Sequence, residues 1–92
     1  KGDGAIHDIW MKILPLHFNL ERYLRKHRLL KKWQKQLQLF EQNWKHPGLH
    51  TEILEPKELR IYSFRIDLQY RAVFVWTDKK TVEIIDINNH YE

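Results

Sequence analysis

Cysteine is missing from this chain of 92 residues, and long apolar runs are missing as well. Without cysteine there can be no disulfide and no thiolate metal site, and a reducing compartment is the natural expectation. No apolar run approaches the length of a membrane-spanning helix, and no signal-peptide pattern opens the chain. We therefore expect a cytoplasmic protein that does not contact a membrane.

Glycine and proline are scarce, with three of each. No glycine-rich phosphate loop and no serine nucleophile motif is present, which argues against the common nucleotide-binding and hydrolase signatures. Three histidines could be considered as zinc ligands, His46, His50 and His90. Pro47-Gly48 separates the first two, and no thiolate can complete the set. The sequence therefore predicts neither a metal site nor a cofactor.

What is present suffices for one packed domain. Hydrophobic residues make up 42% of the chain, with four Trp, four Tyr and four Phe. A chain of this length has no room for a second core. Residues 1–11 contain Gly2 and Gly4 and no clear element. We interpret them as a tag or an N-terminal extension, and expect the domain to span residues 12–92.

Positive charge is concentrated in the first half of the chain. Residues 1–51 hold ten Lys or Arg against four Asp or Glu, whereas residues 52–92 hold six against eight. A one-sided positive field attracts polyanions, so the densest basic stretch is a candidate for RNA contacts. A solvated helix face is the alternative interpretation. The stretch contains no acid and comprises Arg22, Arg25, Lys26, Arg28, Lys31, Lys32 and Lys35.

Two helices are predicted in this basic half. Asn19 is a candidate N-cap for a first helix over roughly 20–26, with Phe18 and Tyr23 placed to form a hydrophobic staple. A second helix follows and is ended by Pro47-Gly48. Its apolar residues alternate in spacing between three and four, which is one face of an α-helix, and they are Leu30, Trp33, Leu37, Phe40 and Trp44.

The second half alternates with the period of strands. Strands are expected over 61–67, 70–76 and 81–87, joined by short polar connections into an antiparallel meander. A further short strand over 12–16 contains Pro15, which suggests a sheet edge. One side of the meander is aromatic and should meet the helices. The predicted fold class is therefore α+β, with a two-helix hairpin packed on an antiparallel sheet.

Two arginines flank one tight turn of this meander. If the turn has three residues, Arg65 and Arg71 stand opposite each other on one face, where like charges repel. That arrangement makes sense if an anion such as a phosphate lies between them. Removing one arginine would then leave stability unchanged or slightly raised. In the alternative interpretation each arginine forms a surface ion pair with a nearby acid, Asp67 or Asp86, and has no functional role.

The chain ends with two residue types that suit RNA chemistry. His90 can give or take a proton near neutral pH, and Tyr91 can stack on an unpaired base. On this pair alone, the favoured interpretation is a frayed end of the chain without a role.

Together these segments resemble the RelE/ParE superfamily of toxins from type II toxin–antitoxin systems. The resemblance covers roughly residues 12–91, and its ending is similar to the YoeB-like branch. Four sequence segments carry the resemblance: His46-Pro47-Gly48-Leu49-His50-Thr51-Glu52, Ile61-Tyr62-Ser63-Phe64-Arg65-Ile66-Asp67, Tyr70-Arg71-Ala72-Val73-Phe74 and Ile84-Ile85-Asp86-Ile87-Asn88-Asn89-His90-Tyr91.

The resemblance implies a metal-independent endoribonuclease that cuts mRNA on the ribosome and so inhibits translation. By position, Glu52 matches the general base, and Arg65 with Arg71 matches the phosphate clamp. His90 matches the general acid and Tyr91 a substrate contact. The catalytic lysine cluster of RelE itself is absent, and Asp86 is an additional acid near the site.

The resemblance also implies partners and leaves alternatives. A cognate antitoxin, the ribosome and mRNA are the expected partners, with a toxin–antitoxin hetero-oligomer as the resting form. ParE-like relatives share the fold but inhibit DNA gyrase and cut nothing. A non-catalytic relative that binds only RNA or its antitoxin is a third possibility, since fold does not determine function.

Overall fold

The computed structural model describes residues 11–89. The remaining residues, 1–10 and 90–92, lie outside the described part, and with them the predicted site residues His90 and Tyr91. Two short 3-10 turns occur at Pro47–Leu49 and Lys57–Leu59. The helices and strands are β1 (Lys12–Ile13), α1 (Phe18–Lys26), α2 (Leu30–Gln42), β2 (Glu52–Ile53), β3 (Ile61–Arg65), β4 (Tyr70–Trp76) and β5 (Thr81–Asn89).

The strands form one five-stranded sheet in the order β1-β5-β4-β3-β2. β3, β4 and β5 make the predicted antiparallel meander, and β2 adds to it antiparallel to β3. β1 lies at the edge, as Pro15 indicated, but it runs parallel to β5. The predicted α+β class with two helices on a sheet is confirmed, and the sheet is mixed rather than purely antiparallel.

The start of α1 differs from the prediction. Asn19 does not cap the helix, because α1 begins at Phe18 and His17 takes the N-cap position without a side-chain hydrogen bond. The backbone explains this, since the His17 carbonyl already accepts the N–H of Leu20 at 3.0 Å. Phe18 is 74% exposed and forms no staple; the Arg22 guanidinium instead lies 5.7 Å from its ring.

The boundaries of α2 also differ slightly from the apolar pattern. Arg28 belongs to the connection between the helices, where it has a positive φ of 58°. α2 ends at Gln42, so Trp44 lies beyond the helix, although it still packs against the core. Neither α1 nor α2, within residues 11–89, has the length and apolar character that a bilayer-crossing helix requires.

Aromatic side chains join α2 to the sheet, as the sequence predicts. Phe40 packs on Phe64 and on Phe74, with 5.2 Å between ring centroids in both pairs, and Trp33 stacks on Phe64 at 5.7 Å. All three phenylalanines are fully buried. Burying one such side chain contributes about 1.5–3 kcal/mol. This cluster holds α2 against one face of β3 and β4, and Arg65 and Arg71 lie on the opposite face.

Candidate active site

The two arginines of the β3–β4 hairpin stand opposite each other. Arg65 and Arg71 are Cα partners in the register of these strands. The N–H of Ile66 donates to the Tyr70 carbonyl at 2.8 Å, so three residues, 67–69, form the turn. The prediction from a three-residue turn is therefore confirmed, and both arginines lie on the face of the sheet away from the aromatic cluster.

Neither acid proposed as an arginine partner has that role. Asp67 organises the turn, because its Oδ1 accepts the N–H groups of Gln69 and Tyr70 at 2.8 Å each. Its Oδ2 accepts Nζ of Lys32 at 2.9 Å. Partial burial raises the pKa of Asp67, but the hydrogen bonds from Lys32 and the turn outweigh it and hold the pKa below its usual range. Asp86 accepts a hydrogen bond from the neighbouring side-chain amide of Asn88.

Arg71 is held in place from three sides and is only 6% exposed. Its Nε donates to the Ser63 hydroxyl at 3.0 Å, and its Nη2 donates to the Ser63 carbonyl at 3.3 Å. The same nitrogen donates to the His50 carbonyl at 2.6 Å. His50 presents this carbonyl from a left-handed conformation with φ 47°. The Arg71 side chain therefore crosses β3 and fixes the segment before β2.

Glu52 provides the only carboxylate beside this guanidinium within the described residues. Its Oε1 lies 3.9 Å from Nη2 of Arg71, and its side chain is 59% exposed. Burial lowers the pKa of Arg71, the Glu52 carboxylate opposes that effect, and the charge of Arg65 adds to it. At this distance the pair is electrostatic rather than hydrogen-bonded, so the carboxylate keeps its oxygen atoms available for another proton donor.

These contacts change the stability expected on removing an arginine. Arg71→Ala should lower the free energy of unfolding by about 2–3 kcal/mol, because it leaves the buried Ser63 hydroxyl and the part-buried His50 carbonyl without their donor. Arg65 makes no side-chain hydrogen bond or ion pair with residues 11–89, so Arg65→Ala is the matched control. It should change stability by less than about 0.5 kcal/mol. Urea unfolding of both variants measures the difference, and equal losses would contradict it.

A buried glutamine that sequence reasoning missed joins α2 to this site. Nε2 of Gln36 donates to the Arg65 carbonyl at 2.7 Å and to the Gly48 carbonyl at 3.1 Å. It therefore ties the end of β3 to the turn before His50. Its position was a usable signal, because Gln36 lies on the apolar face of α2, three residues after Trp33 and four before Phe40.

An open groove of about 510 Å³ borders Glu52, and Arg71 is not among its lining residues. Its walls combine two aromatic rings with basic and imidazole side chains. Nδ1 of His46 is already occupied, since it accepts the N–H of Gly48 at 2.9 Å. The polar and aromatic residues of this groove include Trp44, Lys45, His46, His50, Glu52 and Tyr62.

The basic stretch lies at the surface, as its pattern indicated. Two of its members form ion pairs with described residues: Arg25 pairs with Glu21 at 2.9 Å, and Lys32 pairs with Asp67. Exposed ion pairs of this kind contribute little to stability, so they do not explain why the stretch is so basic. The exposed side chains are those of Arg22, Arg25, Lys26, Arg28, Lys31, Lys32 and Lys35.

The last strand runs beside the strand that carries Arg71. Asn88 is the partner of Arg71, and Asn89, where β5 ends, is the partner of Tyr70. His90 and Tyr91 come next in the sequence and lie outside the described residues. Of the predicted site residues, the structure brings together Glu52, Arg65 and Arg71, while the basic stretch lies on α1, α2 and their connection.

Comparison with known proteins gives a partial sequence relative. No protein-family model matches the chain. A stretch of 45 residues is 40% identical to an uncharacterized protein of Haemophilus influenzae (strain ATCC 51907 / DSM 11121 / KW20 / Rd). That stretch is 49% of this chain and 39% of the relative, so the match spans about two fifths of the relative's length.

Solved structures match nearly the whole chain. A YoeB/ParE toxin from Agrobacterium tumefaciens superimposes with a TM-score of 0.58 at 16% identity, covering 89% of this chain and 99% of the toxin. The YoeB dimer from Staphylococcus aureus gives 0.59 at 22% identity, covering 90% and 98%. The similarity at this level of identity concerns the fold. This chain therefore shares its fold with these two toxin structures.

Proposed function

We propose that this protein is the toxin of a toxin–antitoxin pair, and an endoribonuclease that cleaves mRNA on the ribosome. The observation that carries the proposal is the approach of Glu52 to Arg71 at 3.9 Å, with Arg65 directly opposite Arg71. A carboxylate and two guanidinium groups thus share one region of the sheet. This is the combination that cleavage by the RNA's own 2′-hydroxyl requires.

Glu52 is the proposed general base. It removes the proton from the 2′-oxygen, which attacks the adjacent phosphorus and forms a pentacoordinate phosphorane. Its exposure and its loose contact with Arg71 support this role, because a base must be able to reach a substrate proton. The groove beside Glu52 offers space for the nucleotide that carries the attacking hydroxyl.

Arg71 and Arg65 are the proposed phosphate-binding groups. Nη1 of Arg71 makes no hydrogen bond with the described residues, so its two N–H groups remain available to a phosphate oxygen. The contacts to Ser63 and His50 keep the guanidinium oriented before substrate arrives. Such preorganised donors stabilise the negative charge that develops on the phosphorane.

His90 is the proposed general acid and Tyr91 a substrate contact. His90 follows Asn89 in the sequence, and Asn88 is the partner of Arg71 on the neighbouring strand. When the phosphorane collapses, the 5′-oxygen leaves and takes a proton from His90. The products are a 2′,3′-cyclic phosphate and a 5′-hydroxyl. The 2′-oxygen is the nucleophile, so DNA is not a substrate.

The exposed basic stretch supports the proposed partners. Seven positive side chains on α1, α2 and their connection suit the phosphates of ribosomal RNA. The same surface suits an acidic or amphipathic segment of a cognate antitoxin, which would hold the toxin in a hetero-oligomer. In this arrangement the basic stretch provides affinity for the ribosome, and the arginine–glutamate site performs the cleavage.

Purified protein should cut mRNA on translating ribosomes and cut free RNA poorly. The cleaved 5′ fragment should end in a cyclic 2′,3′-phosphate, whereas attack by an activated water would leave a different terminus. Mapping the ends of the fragments measures both outcomes. Inhibition of gyrase supercoiling with mRNA left intact would instead support the ParE-like alternative and reject the nuclease.

A further inference from the structure

A second groove lies between α2 and the β3–β4 hairpin. Its volume is about 310 Å³, and its walls include Lys32, Lys35, Arg65, Asp67 and Leu68. The buried amide of Gln36 forms part of its lining and holds the Arg65 carbonyl at 2.7 Å. The groove therefore begins at one of the two arginines of the candidate active site and continues along the basic face of α2.

The charge of this groove is unbalanced. Three cations face a single acid, and that acid, Asp67, is already bound to Lys32 at 2.9 Å and to the backbone of its own turn. Lys35 and Arg65 make no side-chain hydrogen bond or ion pair with any residue between 11 and 89. Two cations that share one concave site without a counter-ion favour an anionic ligand.

We propose that this groove binds one nucleotide of single-stranded RNA, next to the phosphate that Arg65 and Arg71 face. Lys35 and Arg65 would contact its phosphate, as an ammonium and a guanidinium do in other polyanion sites. Leu68 is 73% exposed beside them and offers an apolar surface to the base. This inference deepens the proposed function, since it assigns a substrate position to the same strand hairpin.

Asp67 limits the affinity of the groove in this arrangement. Its carboxylate is ionised at neutral pH and neutralises Lys32, so a phosphate must compete with it for that ammonium. Asp67→Asn removes the charge and keeps an oxygen that can accept the N–H groups of Gln69 and Tyr70. The turn should therefore persist while Lys32 becomes available to RNA.

Binding should be measured on RNA that the proposed reaction cannot cut. A fluorescent 2′-O-methyl oligoribonucleotide lacks the attacking hydroxyl, so fluorescence anisotropy reports affinity alone. Asp67→Asn should tighten binding about two- to fivefold, and Lys35→Gln should weaken it by a similar factor. Lys35→Gln should also reduce the salt slope by about 0.7, the value for one lost single-strand phosphate contact.

Lys79→Gln is the matched control, because Lys79 is exposed in the β4–β5 turn at the other end of the sheet. The groove assignment is overturned if Lys35→Gln weakens binding no more than Lys79→Gln, or if Asp67→Asn leaves the affinity of a folded protein unchanged. Poly-glutamate that displaces the RNA and binds Asp67→Asn more tightly than RNA does would assign the groove to an acidic protein segment instead.

The same measurements separate this inference from the proposed nuclease. If the parent protein does not cut mRNA on ribosomes but the variants shift RNA binding as expected, the groove stands and the nuclease proposal fails. If the parent cuts mRNA and the variants bind RNA like the parent, the opposite holds. Thermal melting of each variant confirms that changes in affinity are measured on folded protein.

Discussion

Glu52→Gln is expected to slow mRNA cleavage by about 10²–10⁴-fold, the usual contribution of a general base. Glutamine keeps the size of the side chain and can still contact Arg71, but it cannot remove the proton from the 2′-oxygen. Folding stability should change little, since the side chain is 59% exposed and lies 3.9 Å from its only ionic partner in the described region. Single-turnover cleavage on pre-bound ribosomes measures the chemical step.

A second glutamate near the site separates the role of Glu52 from a general loss of negative charge. Glu55→Gln is the matched control, because Glu55 is an exposed acid three residues away that does not border the groove. Equal rates for the parent and Glu52→Gln would remove Glu52 from the mechanism.

His90→Gln is expected to lower the single-turnover rate by about 10²–10⁴-fold as well. Glutamine retains a hydrogen-bond donor but cannot deliver a proton to the departing 5′-oxygen. Ribosome binding should hardly change, because the basic stretch carries most of it.

His50→Gln is the comparison that completes this experiment. His50 borders the groove beside Glu52, while its carbonyl, which the substitution retains, accepts the hydrogen bond from Arg71. We expect His50→Gln to cleave mRNA at nearly the rate of the parent protein. If His90→Gln cleaves at the parent rate and His50→Gln cleaves slowly, His50 is the general acid and His90 has no catalytic role.

The positions of the site residues could be predicted from the sequence to different extents. Arg65 and Arg71 could be placed opposite each other, because the length of a hairpin turn sets the register of its strands. The pairing of Glu52 with Arg71 could not be derived in this way. The two residues are 19 positions apart, and a 3-10 turn, β3 and the hairpin turn lie between them. Its place in the resemblance was the only sequence signal.

The different environments of the two arginines could not be predicted at all. Both lie on the same face of the same hairpin, yet Arg71 is buried against Ser63 and His50, while Arg65 is only partly buried and makes no side-chain hydrogen bond within residues 11–89. Alternation assigns a residue to a face, but it does not tell which other segment covers that face. The sequence predicts that removing either arginine leaves stability unchanged or slightly raised. With the contacts now known, we keep that expectation for Arg65 and replace it with a loss of stability for Arg71.

The types of the main elements, the meander, the aromatic face and the exposed basic stretch follow from local sequence patterns. These features depend on periodicity and turn length, which act between residues close together in the chain. The parallel pairing of β1 with β5, the link from Gln36 to Arg65 and the carbonyl that holds Arg71 became known from the folded structure alone. Such contacts join residues far apart in the sequence, and packing of the whole domain around its core selects them.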